Sequence, residues 1–393
     1  MKKHFNQNID YILLLSFFIG SFAYFFLGYV TVRENRLSSG ENLSILKVSP
    51  WNIIVFFELL LILFLSFFKN NKIASYITIF TGNIIFISVL SGVAHFSRNF
   101  ITKDSLMRIS LSGGAWMMLL AAYIVIFSVK KENFLKRWEK IIFPNLFLIV
   151  TSILLLNGFF DNLSIIQEFH IRKDKFLYEF FNHLSIAFYT VLMGTILGVS
   201  LGVLAYKKKK FKPAVLSFVG FFQTIPGLAL FGLFIAPLAF LSYKYPFLRN
   251  IGIKGIGRTP ALIGLTLYAL LPMVRNTYEG LKNIDRSILK VGSGMGMNNI
   301  QIFFKIEIPL SVPVILSGLR ISTIQAIGNT TLAALIGAGG LGTFVFQGIG
   351  QGAPDLIILG AIPIIALSLG ADIILRMVKK IFTPQALKRS EGE

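Results

Sequence analysis

One pentapeptide has the spacing of a catalytic serine site. Gly198-Val199-Ser200-Leu201-Gly202 fits G-x-S-x-G, in which a serine nucleophile stands on a sharp turn between a strand and a helix. Here the pattern lies inside an apolar segment, so it does not support nucleophilic catalysis. Gly194, Gly198 and Gly202 recur every four residues, which instead predicts a small-residue ridge that lets two membrane helices pack closely.

The other candidates for enzymatic chemistry are equally weak. Gly337, Gly339 and Gly342 fit the dinucleotide-binding pattern G-x-G-x-x-G, but no strand precedes them. We interpret residues 337–342, the glycine turn, as a flexible, tightly packed turn near the outer face. The sequence contains no G-x4-G-K-[S/T] phosphate loop, no cysteine, and no histidines at ligand spacing. It therefore predicts no catalytic residue, no metal site and no cofactor bound to this chain.

Composition indicates an integral membrane protein. The 393 residues are 54% hydrophobic and 14% charged, against about 25% charged residues in a soluble domain. A net charge of +20 would suggest a nucleic-acid partner for a soluble protein. Here the basic residues flank apolar segments, as in membrane proteins. We predict membrane lipid, and no nucleic acid, as a partner.

The apolar segments predict an all-α, polytopic membrane helix bundle of about ten spans. With the N-terminus in the cytoplasm, most of the 38 Lys and Arg residues fall on the cytoplasmic side, as the positive-inside rule requires. The first span follows Lys2 and Lys3 and is predicted to be an uncleaved helix. The spans are approximately 11–30, 53–68, 73–93, 113–129, 141–158, 184–206, 214–241, 260–274, 310–335 and 356–378.

Four regions follow from this pattern. No convincing internal repeat relates the two sets of five spans, which argues against an inverted-repeat secondary transporter. The predicted regions are an N-terminal five-helix region (1–158), a polar external segment (159–183), a second five-helix region (184–380) and a cytoplasmic tail (381–393).

Two spans carry polar residues that suggest a translocation pathway. In the seventh span, Pro226 removes a helix hydrogen bond, and a broken membrane helix is tolerated only where protein or a water-filled cavity receives the freed backbone groups. Gln223 and Thr224 beside the break are candidate pathway residues, although a structural kink fits equally well. Asn329 and Thr330 in the ninth span are predicted to face the bundle interior or a cavity.

The stretch Lys290–Leu310, KVGSGMGMNNIQIFFKIEIPL, is too polar and glycine-rich to cross a bilayer. Together with the residues before it from Asn283, it is called the polar loop. Its glycines disfavour a helix interior, because each costs about 1 kcal/mol there relative to alanine. The predicted form is two short helices joined by a glycine hinge on the cytoplasmic membrane surface, with a docking partner. Asn283 and Asp285 are plausible caps of the first helix, Asn298 or Asn299 can begin the second, and Pro309 marks a helix start.

The spacing of Gly296, Ile306 and Pro309 resembles the G-x9-I-x-L-P core of the EAA loop, with Ile308 at the leucine position. That loop is the cytoplasmic coupling element of ABC importer permeases and docks on the ATP-binding subunit. The Glu-Ala-Ala triplet of the pattern is missing, because it falls on Lys290, Val291 and Gly292. By this resemblance the coupling residues are Lys290, Gly292, Gly294, Gly296, Met297, Ile306 and Pro309.

Three further strings resemble one branch of these permeases, which imports glycine betaine, choline and carnitine. They are QTIPGLAL from Gln223, LLPMVRNTY from Leu270 and TLAALIGAGGLG from Thr331. The resemblance covers roughly residues 180 to 380. The first five spans lie outside it and suggest a longer subgroup.

The resemblance implies the transmembrane subunit of an ATP-driven importer for a quaternary ammonium compatible solute. It implies a cytoplasmic ATP-binding subunit dimer, which would hold ATP and Mg²⁺, a second permease copy (identical or paralogous) and an extracytoplasmic solute-binding protein. The expected location is a bacterial cytoplasmic (inner) membrane, with both termini in the cytoplasm.

Two other functions make different demands on the sequence. An ATP-independent secondary transporter or channel predicts ionisable residues at mid-membrane depth, for which Glu58 and Asp372 are the main candidates. A membrane scaffold without transport predicts no broken helix with polar residues beside the break, contrary to Pro226.

Overall fold

The computed structural model describes residues 9–35, 38–48, 50–69, 71–101, 106–129, 136 and 138–383. Lys2 and Lys3, and residues 384–393 of the predicted tail, lie outside this part of the chain. The chain forms two compact units, Met1–Ile171 and Arg172–Glu393, called the N-terminal and C-terminal units.

The helices of the N-terminal unit are α1 (Tyr11–Phe26), α2 (Trp51–Leu65), α3 (Lys72–Phe100), α4 (Gly113–Ser128), α5 (Glu139–Ile142), α6 (Leu146–Leu156) and α7 (Ser164–Ile171). Helix α3 is the centre of this unit. Its buried side chains, such as Ile85 and Val89, pack with apolar residues of α2 and α4 in one core. Asp10 and Asn71 cap α1 and α3, because each side-chain oxygen accepts two backbone N–H groups of the first turn.

A small antiparallel sheet, which the sequence did not predict, also belongs to the N-terminal unit. Its strands are β1 (Val30–Arg33), β2 (Glu41–Leu43) and β3 (Arg108–Leu111), in the order β2-β1-β3. Val30 is opposite both Leu43 and Leu111. Strands of three or four residues are too short to show a period-two pattern between apolar spans. The helical fold class is otherwise confirmed.

The C-terminal unit consists of helices of very different length. Its first helix begins well before the expected start of the sixth span at residue 184, and the polar Glu179 and Asn182 are buried in it. The helices are α8 (Lys173–Lys207), α9 (Lys212–Thr224), α10 (Gly227–Lys244), α11 (Phe247–Asn250), α12 (Arg258–Lys282), α13 (Arg286–Gly294), α14 (Asn299–Ile302), α15 (Ile308–Ala333), α16 (Gly342–Gly350) and α17 (Pro354–Phe382).

The glycine ridge of α8 packs against α12. A Cβ at Gly194 would lie 2.7 Å from the Cβ of Ala269, and a Cβ at Gly202 would lie 2.6 Å from the Cβ of Thr277. Gly198 approaches Met273 in the same way. Only a hydrogen atom fits at these positions, so the G-x-S-x-G pattern is a helix-packing feature.

Six helical segments of the described chain are long and apolar enough to cross a membrane. Three further apolar helices, α1, α2 and α4, are shorter. Helix α12, which covers the predicted eighth span, is not among them, and the predicted seventh span is divided between α9 and α10. The count of ten spans stays a prediction. The six are Lys72–Phe100, Glu139–Leu156, Lys173–Lys207, Gly227–Lys244, Asn299–Ile336 and Pro354–Phe382.

The two ionisable candidates for ion coupling are engaged within their own units. The Ser88 hydroxyl donates to Glu58 Oε2 over 2.7 Å in the N-terminal unit. In the C-terminal unit, Asp372 lies 3.4 Å from Arg320 Nε and 2.7 Å from Arg376 Nε. Asp372 therefore links α15 to α17 as the acid of a three-residue ion pair.

Candidate functional site

The first half of the polar loop is helix α13. The Asp285 side chain caps it by accepting the Ser287 N–H over 2.8 Å. This backbone hydrogen bond, together with one from the Ser287 hydroxyl, holds the pKa of the Asp285 carboxyl below its ordinary value. Asn283, the other predicted cap, instead ends α12. The predicted first short helix therefore begins as expected, at the Asp285 cap.

The end of α13 is a Schellman turn built on one glycine. Gly296 has φ of +81°, a left-handed conformation that glycine adopts without steric cost. The Gly296 N–H donates to Ser293 O over 3.0 Å, and the Met297 N–H donates to Gly292 O over 3.1 Å. The glycine hinge is therefore the single residue Gly296.

The helix runs through the other two glycines, contrary to the expectation that they would interrupt it. Gly292 is a packing position, because a Cβ there would lie 2.7 Å from Ile306 Cδ1. Gly294 has open space around it and ends α13 at an exposed position. Lys290 is also exposed. Packing of Ile306 on Gly292 compensates the low helix propensity of glycine there.

The second half of the polar loop continues into a membrane helix. Asn298 Oδ1 accepts the Gln301 N–H over 2.8 Å, and Gln301 Oε1 accepts the Asn298 N–H over 2.9 Å, which is a capping box. Helix α14, a π-helical turn over Phe303–Glu307 and α15 then follow without interruption. The predicted second surface helix is thus the first turn of a long helix.

The π-helical turn has a physical cause in Pro309. Proline lacks an N–H, and its ring clashes with the carbonyl four residues earlier in an α-helix. Widening the preceding turn, where the Ile308 N–H reaches Phe303 O, relieves that clash. Pro309 therefore marks the start of α15, as predicted, without ending the helix before it.

Two contacts attach the polar loop to the end of α8. The Tyr206 hydroxyl donates to Glu307 Oε1 over 2.6 Å, and Glu307 is buried. Lys207 Nζ lies 3.5 Å from the centre of the Phe303 ring, in a cation–π contact. The polar loop is therefore attached to α8 and is continuous with α15.

One face of the polar loop is apolar and uncovered. Val291 is 62% exposed and Met295 77% exposed on α13, while Ile300 and Phe304 on the second half are exposed to a similar extent. An apolar group in a polar connecting segment is costly in water and is typical of an interaction surface. The geometry supports a docking surface made of these side chains.

The break at Pro226 is closed by reciprocal hydrogen bonds with α12. Gln223 Nε2 donates to Tyr268 O over 2.6 Å, and the Tyr268 hydroxyl donates to Ile225 O. The carbonyl at the break thereby gains a partner inside the protein. Tyr268 was missed in the sequence, although a tyrosine in an apolar span is a signal that it has a hydrogen-bond partner.

The other predicted pathway residues do not join this cluster. The Thr224 hydroxyl donates to Phe221 O over 2.7 Å, and the fully buried Thr330 hydroxyl donates to Ala326 O over 2.6 Å. Asn329 is half-buried on α15. The break approaches α15 through Gly227, whose Cβ position lies 3.1 Å from Leu332 Cδ1.

A second polar cluster, also missed, holds the glycine turn. The Gly340 N–H donates to Glu179 Oε2, and Asn182 Nδ2 donates to Ala338 O over 2.9 Å. Arg258 Nε donates to Asn182 Oδ1 over 3.0 Å. Because Glu179 and Asn182 are buried, this turn is fixed by α8 and α12 and is not a site open to nucleotide.

No group of three or more potential metal-ligating side chains occurs in the described part of the chain. The buried His183 contacts Ile327 O over 3.0 Å and packs beside Gly340. It is a packing residue between α8 and the glycine turn.

Two family models match most of the chain. The model "Binding-protein-dependent transport system inner membrane component" matches residues 194–383, and "ABC transporter permease YehY, N-terminal domain" matches residues 9–166. A chain from inward-facing structures of the MetNI methionine ABC transporter is 24% identical, with a TM-score of 0.42, and covers 51% of this chain and 95% of its own length.

Several curated permeases are similar over somewhat more than half of the chain. The glycine betaine/carnitine/choline permease OpuCB of Bacillus subtilis is 38% identical over 54% of this chain and 91% of its own length. The choline permease OpuBB of the same organism is 35% identical, covering 57% and 96%. The osmoprotectant import permease OsmW of Salmonella typhimurium is 36% identical, covering 53% and 92%. With such relatives matched over nearly their full length, the chain belongs to the family of multi-pass inner-membrane permease subunits of ABC importers.

Proposed function

We propose that this permease imports a quaternary ammonium solute, namely glycine betaine, choline or carnitine. The named solutes of the three similar permeases, and the three matching strings at the break, before the polar loop and at the glycine turn, support this substrate class. As a permease subunit the chain does not hydrolyse ATP, and it works with a separate ATPase and a substrate-binding protein. In our proposal, transport is carried out by the second five-helix region, residues 184–380.

The polar loop is the coupling element in this proposal. A dimer of ATP-binding subunits, which holds ATP and Mg²⁺, grips the polar loops of two permease chains, identical or paralogous. The observation that carries the proposal is an apolar face, of which Met295 is the most exposed residue, on a loop attached to α8 and α15. Closure of the ATPase dimer would move that loop and its two helices together.

The missing Glu-Ala-Ala triplet is consistent with this role. Lys290 and Val291 replace the first two residues at exposed positions, where the ATP-binding subunit would read them. Gly292 replaces the last alanine, and its small size admits Ile306 against α13. We infer that Gly292 and Ile306 pack the inner side of the loop, while its outer contacts match a cognate ATPase.

The orientation follows from the same assignment. If the polar loop is cytoplasmic and the chain has the ten predicted spans, then both chain termini are cytoplasmic, and the glycine turn at the other end of α15 faces outward. Basic residues near the polar loop, including Lys207 to Lys210, then lie inside, as the positive-inside rule requires.

The pathway in this proposal passes the break between α9 and α10. Gln223 and Tyr268 hold the break closed by hydrogen bonds, and such bonds can exchange for water or solute when α12 moves. The proposed pathway also includes Thr224 and Pro226 at the break, and Asn329 and Thr330 on α15. A polar break against an otherwise apolar helix pair is a suitable gate for a small quaternary ammonium solute.

Capture of the ATP-binding subunit tests this function. The cognate ATPase is mixed with the detergent-solubilised permease and with two variants, Met295→Asp and Tyr243→Asp. Tyr243 is the matched control, since it is 79% exposed at the far end of α10. We expect Met295→Asp to lose most of the capture, because a desolvated carboxylate is costly in an apolar contact.

The control must behave like the wild type in that assay. Capture of no ATPase by the wild-type permease would contradict the proposed coupling, and equal capture by both variants would contradict the role of the apolar face. Uptake of labelled glycine betaine by ATP-loaded vesicles, with choline and carnitine as competitors, then tests the substrate class.

A further inference from the structure

The chain between α10 and α12, residues 245–257, contains the short helix α11 and is called the α11 segment. The Thr259 hydroxyl donates to Gly252 O over 2.7 Å and ties the segment to the start of α12. A Cβ at Gly255 would lie 2.7 Å from Ile235 O, so the segment folds back onto the side of α10. Its backbone therefore has a defined shape beside the last turns of a membrane helix.

This shape leaves a pocket of about 510 Å³ between the α11 segment and α10. One wall is a single face of α10, because Ile235, Ala239 and Ser242 are neighbours on the helix surface. The opposite wall consists of Arg249, Asn250, Lys254, Gly255 and Ile256. The pocket thus has two cations and an amide on one side and a mostly apolar helix face on the other.

The pocket changes from polar to apolar along the axis of α10. This helix is one of the segments long and apolar enough to cross a membrane, and it ends at Lys244. Ser242 lies in its last turn, and Ile235 lies about two turns deeper, a distance of about 10 Å. The polar mouth is therefore level with the membrane surface, and the apolar base is level with the hydrocarbon.

Exposed aromatic side chains and uncompensated positive charge surround the mouth of the pocket. Tyr243 and Phe247 are both more than half exposed, and aromatic residues are enriched at the level of lipid head groups. Arg249 and Lys254 are exposed, and neither forms an ion pair with an acidic side chain of the described chain. Residues 242–258 contain no Asp or Glu. The mouth therefore attracts an anion and repels a cationic solute.

We propose that this pocket binds an anionic phospholipid. The phosphate lies between Arg249 and Lys254, with Asn250 as a further donor, and an acyl chain follows α10 past Ile235. A soluble anion would use only the polar mouth, whereas a phospholipid matches both levels of the pocket. Basic pockets beside membrane helices are typical binding sites for anionic head groups. The inference does not rest on the proposed function, because it holds whichever face of the membrane the pocket is on.

A lipid in this pocket would hold the α11 segment against α10. The segment ends at Gly257, whose N–H donates to Ile336 O over 2.8 Å. Ile336 closes the short turn that directly follows α15. Lipid bound here would therefore stabilise the contact between the α11 segment and the end of α15, and the thermal unfolding temperature should rise when the lipid is added.

Native mass spectrometry of the full-length, detergent-solubilised permease tests the proposal. Phosphatidylglycerol, which is anionic, and phosphatidylcholine, which carries no net charge, are titrated into the wild type and the double variant R249Q/K254Q. We expect the wild type to bind its first phosphatidylglycerol about tenfold more tightly than phosphatidylcholine, and the double variant to lose that preference. The matched control is K209Q/K210Q, which removes two exposed lysines that do not line the pocket and should keep it.

Equal affinities of the wild type for the two lipids, or an equal loss of preference in the two double variants, would overturn the proposal, since surface charge alone would then explain the binding. Glycerol phosphate, which has the phosphate but no acyl chain, is added as a competitor. Displacement of phosphatidylglycerol at equal concentration would make the pocket a soluble-anion site and would also overturn the proposal. Thermal unfolding without lipid checks that each variant is folded. If R249Q/K254Q is not folded, the single variants R249Q and K254Q are used, and each should lose part of the preference.

Discussion

The two ends of α15 use glycine in opposite ways. At the polar loop, one left-handed glycine, Gly296, turns the chain so that apolar side chains such as Met295 are left uncovered. At the glycine turn, Gly337, Gly339 and Gly340 are all left-handed, and two of them lie against buried residues of α8. The first arrangement offers a surface to a partner, and the second closes the chain on itself.

The glycines at the two ends also differ in what they contribute to the structure. A Cβ at Gly339 would lie 2.5 Å from Asn182 Nδ2, so the glycine turn depends on glycine for both conformation and space. Gly296 has nothing within contact distance of its Cβ position, so it depends on glycine for conformation alone. Substitutions at the two ends should therefore differ in how much stability they remove. They should also differ in whether they change capture of the ATP-binding subunit.

The largest loss of stability is expected for Gly342→Ala in the glycine turn, which is the end of α15 that other residues cover. A Cβ at Gly342 would overlap the Thr331 carbonyl group, and backbone on both sides leaves little room to relax. We expect the free energy of unfolding to fall by about 3 kcal/mol. Thermal unfolding in detergent measures it, with Gly328→Ala as control, because Gly328 is helical with open space around it. A Gly342→Ala protein as stable as that control would show that the turn is not tightly packed.

The next effect concerns the carboxylate that holds the glycine turn. Glu179→Ala leaves the Gly340 N–H without its acceptor and removes the neighbour of Asn182. Loss of a charge-assisted bond to a buried donor should cost about 2 kcal/mol. Asp174→Ala, at an exposed position in the first turn of the same helix, is the control in the same unfolding assay. Equal stabilities would mean that water replaces the carboxylate at Gly340.

A smaller loss of stability is expected at the Pro226 break between α9 and α10, which lies at neither end of α15. Tyr268→Phe leaves the Ile225 carbonyl without its donor, at a cost of about 1.5 kcal/mol. Solute uptake should fall by more than this loss of stability alone would cause, because the break lies in the proposed pathway. The matched control is Tyr243→Phe. Uptake and stability unchanged from that control would make the break a structural kink with no part in gating.

The smallest loss of stability is expected in the polar loop, which is the end of α15 that is left uncovered. Gly296→Ala should lower stability by about 1 kcal/mol, because a Cβ is strained at positive φ. Gly294→Ala should be neutral or stabilising, by at most about 1 kcal/mol, because that residue is helical. Capture of the ATP-binding subunit should fall only for Gly296→Ala, because this substitution changes the backbone conformation of the turn. Equal capture by the two variants would show that the turn does not set the docking geometry.

The sequence predicted local features well where one residue determines the conformation. Asp285 caps α13, Asn298 begins α14, and Pro226 breaks the seventh span, since each effect depends on near neighbours in the chain. Gly292 and Gly294 were expected to interrupt a helix, but Ile306, fourteen residues after Gly292, packs there and makes a small residue favourable.

Long-range pairing was beyond prediction from one sequence. Glu179 and Asn182 looked like part of a polar external segment, yet they are buried because the glycine turn, far along the chain, lies over them. Tyr268 escaped for the same reason, because it bonds to residues more than forty positions away. The functions predicted for the residues of the coupling loop and the pathway stay predictions.

Site-specific labelling tests the central claim, that the polar loop is a cytoplasmic docking element, most directly. The chain has no cysteine, so Met295→Cys and Tyr243→Cys each introduce a single thiol. A membrane-impermeant maleimide is added to one side of oriented vesicles, with and without the ATP-binding subunit. The account predicts labelling of Met295→Cys only from the cytoplasmic side, with protection by the ATPase, and labelling of Tyr243→Cys only from outside, without protection. Labelling of Met295→Cys from outside, or no protection by the ATPase, would contradict it.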